Sequence, residues 1–101
     1  MGFKKSYLKS KPECKVTFKL PKEIVGDGQK IIITGDFTDW SREEKEMNKL
    51  KTGDCTVVIS LESGREYQFR YLIDGYRWEN DPEADRYEPN GFSGVNSVIV
   101  V

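Results

Sequence analysis

The sequence contains no histidine and only two cysteines. Histidine is the commonest general base of enzymes and, together with cysteine, the commonest zinc ligand, and the spacing of Cys14 and Cys55 matches no metal motif. The sequence therefore predicts neither a metal site nor a cofactor. Each cysteine falls on the apolar side of an alternating run, so we expect two free thiols in the core of a cytoplasmic protein rather than a disulfide.

The chain also lacks an excess of charge of either sign and any long apolar segment. Sixteen basic residues oppose 17 acidic ones, so the formal net charge is −1. Such a balance creates no field that would attract nucleic acid or an anionic membrane. No apolar run follows the basic start at 1–8, which predicts neither a signal peptide nor a membrane span. We therefore expect neutral partners.

Alternation of apolar and polar residues predicts several short strands. The runs at 14–20, 55–61 and 66–74 each place one face in a core, and the segments at 29–34 and 95–101 are more continuously apolar. Turns rich in glycine, proline and aspartate separate these runs, and the pattern favours no helix and no repeat. Six to eight such strands in 101 residues indicate an all-β, antiparallel β-sandwich.

Three segments carry little strand signal. Residues 1–11 are rich in lysine and serine and offer little apolar surface to offset ordering entropy, so we expect a flexible basic arm ahead of a single domain at 12–101. The charge-rich segment at 41–48 predicts a surface connection. The polar stretch at 78–94 contains two prolines and predicts a long loop, which in a compact domain is often functional.

Two tryptophans each close a tight polar turn that follows an apolar run. Trp40 ends the segment 35–40, and Trp78 ends the segment 74–78. An indole presented from a loop favours a flat, partly apolar ligand such as a sugar ring. The alternative for either indole is a place in the core. Nearby, Arg70 alternates with the apolar residues of its run and is therefore predicted to face away from the core.

Four sequence blocks resemble the carbohydrate-binding module family 48. They are 35–40 (GDFTDW), 65–75 (REYQFRYLIDG), 78–82 (WENDP) and 94–98 (GVNSV). This family includes the N-terminal domain of isoamylases and branching enzymes of glycoside hydrolase family 13, and the glycogen-binding domain of AMP-activated protein kinase β-subunits. The resemblance runs from about residue 14 to residue 101. It implies an immunoglobulin-like sandwich of the early-set type.

The resemblance also implies a ligand and a set of binding residues. The ligand would be an α-1,4-linked glucan such as glycogen, starch or a maltooligosaccharide, and the partner a glycogen-metabolising enzyme or a kinase subunit. By position, Trp40 and Trp78 would stack on glucose rings, Arg70 and Asn96 would hydrogen-bond sugar hydroxyls, and Phe92 would be the apolar wedge. The alternatives are that Arg70 is a solvated strand residue and that Asn96 satisfies backbone groups in a turn.

Two other functions follow from the same residues. Asp81, Asp85 and Glu88 could form the acid/base pair of a glycosidase, but such a pair needs a cleft that desolvates one carboxyl group. A single small sandwich offers little to bury one, so we predict no catalytic residues. The second hypothesis is a protein-interaction or structural scaffold domain of the early-set class without glucan binding. It would hold a partner through an edge strand or the lysines of the 1–11 arm.

Overall fold

Two antiparallel sheets form the protein, which the computed structural model describes at residues 3–91 and 94–101. Nine strands lie in these ranges, so the predicted all-β sandwich is confirmed with one strand more than expected. The elements are β1 (Phe3–Tyr7), β2 (Glu13–Leu20), the one-turn helix α1 (Lys22–Val25), β3 (Ile31–Gly35), a 3-10 turn (Asp36–Thr38), β4 (Asn48–Lys49), β5 (Cys55–Glu62), β6 (Glu66–Ile73), β7 (Arg77–Glu79), β8 (Arg86–Pro89) and β9 (Val95–Val100).

The strand order places β6 in the middle of the second sheet. The first sheet has the order β1-β2-β5-β4, and the second has the order β3-β6-β9-β8. β3 pairs with one edge of β6, while β9 and β7 share the opposite edge. Residues 66–69 of β6 pair with β9, and residues 71–73 of β6 pair with β7. Consequently β3, β7 and β9 all lie next to β6, and side chains from four strands can meet on one face.

The core lies between the sheets and is rich in aromatic side chains. Phe18 of β2 and Phe69 of β6 are fully buried, and their rings meet edge to face at a centroid distance of 5.1 Å. Both cysteine thiols are free and buried, as predicted. Cys14 pairs with Leu61 and Cys55 with Leu20. The thiols therefore lie near opposite ends of the β2–β5 pair, about 20 Å apart along the strands, too far for a disulfide.

Residues 3–7 differ from the flexible arm that the sequence predicts over 1–11. They form β1, which pairs with β2 from Phe3 opposite Phe18 to Tyr7 opposite Cys14. Phe3 is only 7% exposed and packs edge to face on Phe18. One buried aromatic ring and a full backbone ladder offset the ordering entropy that the lysine-rich composition suggested would dominate.

The stretch at 78–94 also differs from its prediction as one long loop. β7 pairs with the second half of β6, and β8 pairs with β9. Both strands are too short for alternation to reveal them, and Pro89 is tolerated because β8 is the last strand of its sheet.

Among the described residues, no helix has the length and apolar character needed to cross a membrane.

Candidate functional site

The candidate site lies on the outer face of the second sheet. Residues directly opposite each other in an antiparallel pair share a face. Phe69 of β6 points into the core, so its neighbour Arg70 points outward, as predicted, together with its partner Thr34. Leu72 is on the same outer face, and its partner on β7 is Trp78. The register therefore brings Trp78 next to Arg70.

Trp40 reaches the same face through a constrained turn after β3. The chain bends at the 3-10 turn, and the backbone N–H of Trp40 donates to the carbonyl of Gly35 at 2.9 Å. Asp39 and Trp40 both have left-handed backbone angles, with φ of 52° and 59°. This conformation is uncommon for a bulky residue and costs on the order of 1 kcal/mol, so it persists only where surrounding contacts impose it.

The carboxylate of Asp36 supplies one of those contacts. It accepts a hydrogen bond from the Trp40 indole N–H at 3.2 Å and another from the backbone N–H of Gln68 at 2.8 Å. The first bond fixes the indole, and the second fixes the turn against β6. Trp40 is half-buried. The alternative of a core position for this residue is therefore wrong.

Trp78 is also half-buried, and two guanidinium groups lie over its ring. The Cζ atom of Arg70 is 5.0 Å from the ring centroid, and that of Arg42 is 5.5 Å away. On the neighbouring residue of β7, the Arg77 guanidinium donates to the carbonyls of Ile24 and Val25 at 3.1 and 3.0 Å. β7 is thus held both to β6 and to α1, which fixes the position of the second indole.

Four of the five residues predicted for the site line one open pocket of about 320 Å³. They are Trp40, Arg70, Trp78 and Asn96, and Asn90 completes the lining. We call this the primary pocket. The fifth predicted residue, Phe92, lies outside the described residues. The four come from the turn after β3, from β6, from β7 and from β9, so only the folded sheet brings them together.

The polar groups of the primary pocket are held in different ways. Asn96 is 9% exposed, and its side-chain amide donates to Oε1 of Gln68 at 3.0 Å. Arg70 has no ion pair with any described residue, and its buried Nε atom has no hydrogen-bond partner. A buried donor without a partner costs about 1–3 kcal/mol. The other N–H groups of this guanidinium can donate to a ligand with acceptor oxygens, since Arg70 lines the pocket.

Sequence reasoning missed three residues around the pocket. Asn90 lies in a polar stretch where no pattern distinguishes it from its neighbours. Gln68 is one more polar residue of an alternating run, although its backbone N–H donates to Asp36 and its side chain accepts from Asn96. Arg42 belongs to the charge-rich connection at 41–48, and only the path of that connection along the edge of β3 brings it over Trp78. No local signal would have identified these three.

The three carboxyl groups considered for catalysis are all engaged by neighbours. Asp81 is buried and accepts from the Tyr71 hydroxyl at 2.8 Å, and desolvation raises the pKa of its carboxyl group. Asp85 pairs with Lys5 at 2.9 Å, and Glu88 pairs with Arg86 at 2.8 Å. The contacts of Asp81 and Asp85 fasten the 80–89 segment to the rest of the sandwich, and that of Glu88 lies within the segment. None of the three groups lines the primary pocket.

A larger pocket of about 410 Å³ lies elsewhere, between β1 and the segment at 83–85. Phe3 is the only apolar residue in the described part of its lining, and its charged groups include the ion pair between Lys5 and Asp85. Charges that already satisfy each other offer little to a ligand. The primary pocket, which has two partly exposed indoles and a guanidinium without an ion pair among the described residues, is the better candidate despite its smaller volume.

Comparison with known proteins agrees with the resemblance seen in the sequence. A family model described as the glycogen recognition site of AMP-activated protein kinase matches residues 14–101. The 5'-AMP-activated protein kinase subunit beta of Schizosaccharomyces pombe (strain 972 / ATCC 24843) is 36% identical over 50 residues, which are 50% of this chain and 15% of that subunit. The family match spans nearly the whole chain, and the chain therefore belongs to the family of the glycogen recognition site of AMP-activated protein kinase.

Proposed function

We propose that this protein is a non-catalytic module that binds α-1,4-linked glucan at the primary pocket, with glucose rings stacked on Trp40 and Trp78. One observation supports the proposal most strongly. Two partly exposed indoles, a guanidinium and an amide line a single open pocket on the outside of the second sheet, although they come from four separate segments of the chain. An outward-facing pair of indoles beside polar groups suits a ligand that has both apolar and polar surfaces.

An α-glucan has those surfaces. The C–H face of each glucose ring is apolar and packs on an indole, while its hydroxyl rim accepts and donates hydrogen bonds. The guanidinium of Arg70 lines the pocket, and its terminal N–H groups would donate to hydroxyl oxygens. Asn96 would contribute from β9, where its contact with Gln68 fixes its side chain. The Trp40 indole N–H is already bonded to Asp36, so Trp40 would contribute its ring face.

The affinity expected from these contacts is modest. Each indole that removes roughly 100 Å² of combined apolar surface from water contributes about 2–3 kcal/mol. Two or three hydrogen bonds add about 1 kcal/mol each. Association costs on the order of 4 kcal/mol or more, which leaves a Kd between about micromolar and millimolar. A polymer with many equivalent rings raises the effective concentration, so such a site suits glycogen or starch better than free sugars.

The role proposed for such a module is to hold an attached or associated enzyme on its glucan in the cytoplasm. The relative from Schizosaccharomyces pombe is a kinase subunit, which supports a kinase subunit as the partner, and a glycogen-metabolising enzyme is the other partner that we propose. The balanced charge of the chain agrees with a neutral polysaccharide ligand.

An NMR titration with maltoheptaose tests the proposal. We expect the indole N–H signals of both tryptophans to shift along a saturable curve in the range from micromolar to millimolar sugar. The backbone signals of the first sheet, including Val58 on its exposed face, serve as the internal control and should stay in place. If neither indole responds at millimolar sugar, glucan binding is refuted and the scaffold hypothesis takes its place.

A further inference from the structure

A second hollow lies beside the primary pocket on the same face of the second sheet. It has a volume of about 240 Å³ and is lined by Lys30, Ile32, Arg42, Glu43, Leu72 and Gly75. We call it the side groove. Its floor is apolar, since Ile32 and Leu72 are outward-facing residues of paired strands, and its rim is formed by three charged, exposed side chains.

The side groove and the primary pocket share no described lining residue, but two residues of the groove adjoin Trp78 of the primary pocket. Leu72 in the groove floor is the register partner of Trp78 and lies two residues along β6 from Arg70. Arg70 lines the primary pocket and Arg42 lines the side groove, yet both guanidinium groups lie over the same indole, at 5.0 and 5.5 Å from its centroid. A linear ligand that stacks on this indole and continues past it would meet Arg42 next.

The charges of the groove rim suit a neutral, polyhydroxylated ligand. Lys30 and Arg42 are cationic and Glu43 is anionic, and within the described part of the chain none of the three makes a salt bridge. The rim therefore offers charged donors and a charged acceptor without a strong field of one sign. Hydroxyl groups can use both kinds of partner. Ile32 and Leu72 are only 3% and 1% exposed, so the rim side chains would make most of the contacts with a sugar ring lying over the floor.

We propose that the side groove is an extension subsite that takes the sugar rings of a glucan chain beyond those held in the primary pocket, and that Arg42 contacts the chain there. This inference depends on the glucan binding proposed above. It explains why Arg42 lies over Trp78 without a carboxylate partner. It also makes affinity depend on chain length, because only a chain long enough to pass Trp78 reaches the groove.

Isothermal titration calorimetry with maltooligosaccharides of increasing length tests the inference, on the wild-type protein and on Arg42→Ala. For the shortest sugar that binds measurably, both proteins should have the same Kd. For maltodecaose, the variant should bind about fivefold more weakly, the change expected for the loss of one hydrogen bond. In the wild-type protein, the methyl NMR signals of Ile32 and Leu72 should shift with the long sugar and stay in place with the short one.

Arg65→Ala is the matched control for this variant. Arg65 is also an exposed arginine over an aromatic ring, with its Cζ atom 5.4 Å from the Tyr67 centroid. It lines neither the primary pocket nor the side groove. Replacing it should leave the Kd for both sugars unchanged, which separates the loss of a groove contact from the general loss of a surface cation.

The possible outcomes are distinct. Equal weakening for short and long sugars would mean that Arg42 only positions Trp78, and it would overturn the subsite. An unchanged Kd for the long sugar would overturn it as well. If the wild-type protein bound no sugar of any length, the proposed function itself would fail and the inference with it. A selective loss at long chain length, accompanied by the methyl shifts, is the one pattern that supports the subsite.

Discussion

Replacing Trp78 by alanine separates binding from folding in this protein. The variant removes one of the two proposed stacking surfaces, which is worth about 2–3 kcal/mol of binding free energy for roughly 100 Å² of apolar contact. That loss corresponds to a roughly 30- to 150-fold increase in Kd. We therefore expect almost complete loss of retention on a glycogen affinity gel.

The effect of the same substitution on stability is smaller. Trp78 is half-buried, so part of its surface is already in water in the free protein. The variant loses the contacts of two guanidinium groups with the ring, about 0.5–1 kcal/mol each at exposed sites, and part of the cover over Leu72. The free energy of unfolding should fall by about 1–2 kcal/mol, a modest part of the total for a small domain.

The assay pairs affinity electrophoresis in glycogen with urea unfolding of the same preparations. Trp40→Ala should behave like Trp78→Ala in the gel. Tyr7→Ala is the control, because Tyr7 is an exposed aromatic residue on β1 of the first sheet and should affect neither pocket. Two results would refute the reasoning: a folded Trp78 variant with unchanged retention, or a variant that is already unfolded without urea, which would make the indole a core residue.

Three further predictions concern stability and are measured by urea or thermal unfolding. A Cβ atom at Gly35 would lie 2.3 Å from the Gln68 carbonyl oxygen, so Gly35→Ala should lower the free energy of unfolding by about 3 kcal/mol. Gly64→Ala is the control: its Cβ atom would lie in open space at φ +79°, and the loss should be about 1 kcal/mol. Similar losses for the two variants would contradict the clash at Gly35. Phe3→Ala should cost about 3 kcal/mol because the ring is buried against Phe18, and a negligible loss would restore the flexible arm. Backbone N–H groups of Lys30 and Gln29 lower the pKa of Asp74. The stabilising effect of this carboxylate is therefore complete above the ordinary carboxyl pKa and is lost as pH falls through the lowered pKa. Asp74→Asn should lose less stability on acidification than the wild type, and equal losses would count against this role of Asp74.

The sequence predicted the strands whose pattern is long enough to read. β2, β5 and β6 each contain eight residues, over which alternation separates a buried face from an exposed one. β7 has three residues and β8 has four, and β1 carries only one core residue among lysines. These strands exist because a neighbour offers a backbone edge to pair with. The residues that form this edge lie elsewhere in the chain, so the short segments themselves carry no signal for these strands.

The site was predicted in a similar way. Trp40, Trp78 and Arg70 have local signals, namely a tight turn after an apolar run and the outward side of an alternating strand. Asn96 and Phe92 were selected only by family resemblance, and Phe92 lies outside the described residues. Arg42, Gln68 and Asn90 have no local signal, although the first two contact predicted site residues and the third lines the primary pocket.

Sequence alone determined the class of fold, the free thiols and the direction of Arg70, because alternation and residue type are local properties of the chain. Tertiary structure alone decided that Trp40 and Trp78 share one pocket, that Phe3 packs on Phe69 in the core, and that Arg42 lies over Trp78. These features depend on strand order and register, which bring together residues 30 or more positions apart. Pairing energies between distant segments fix that order, and no single segment encodes it.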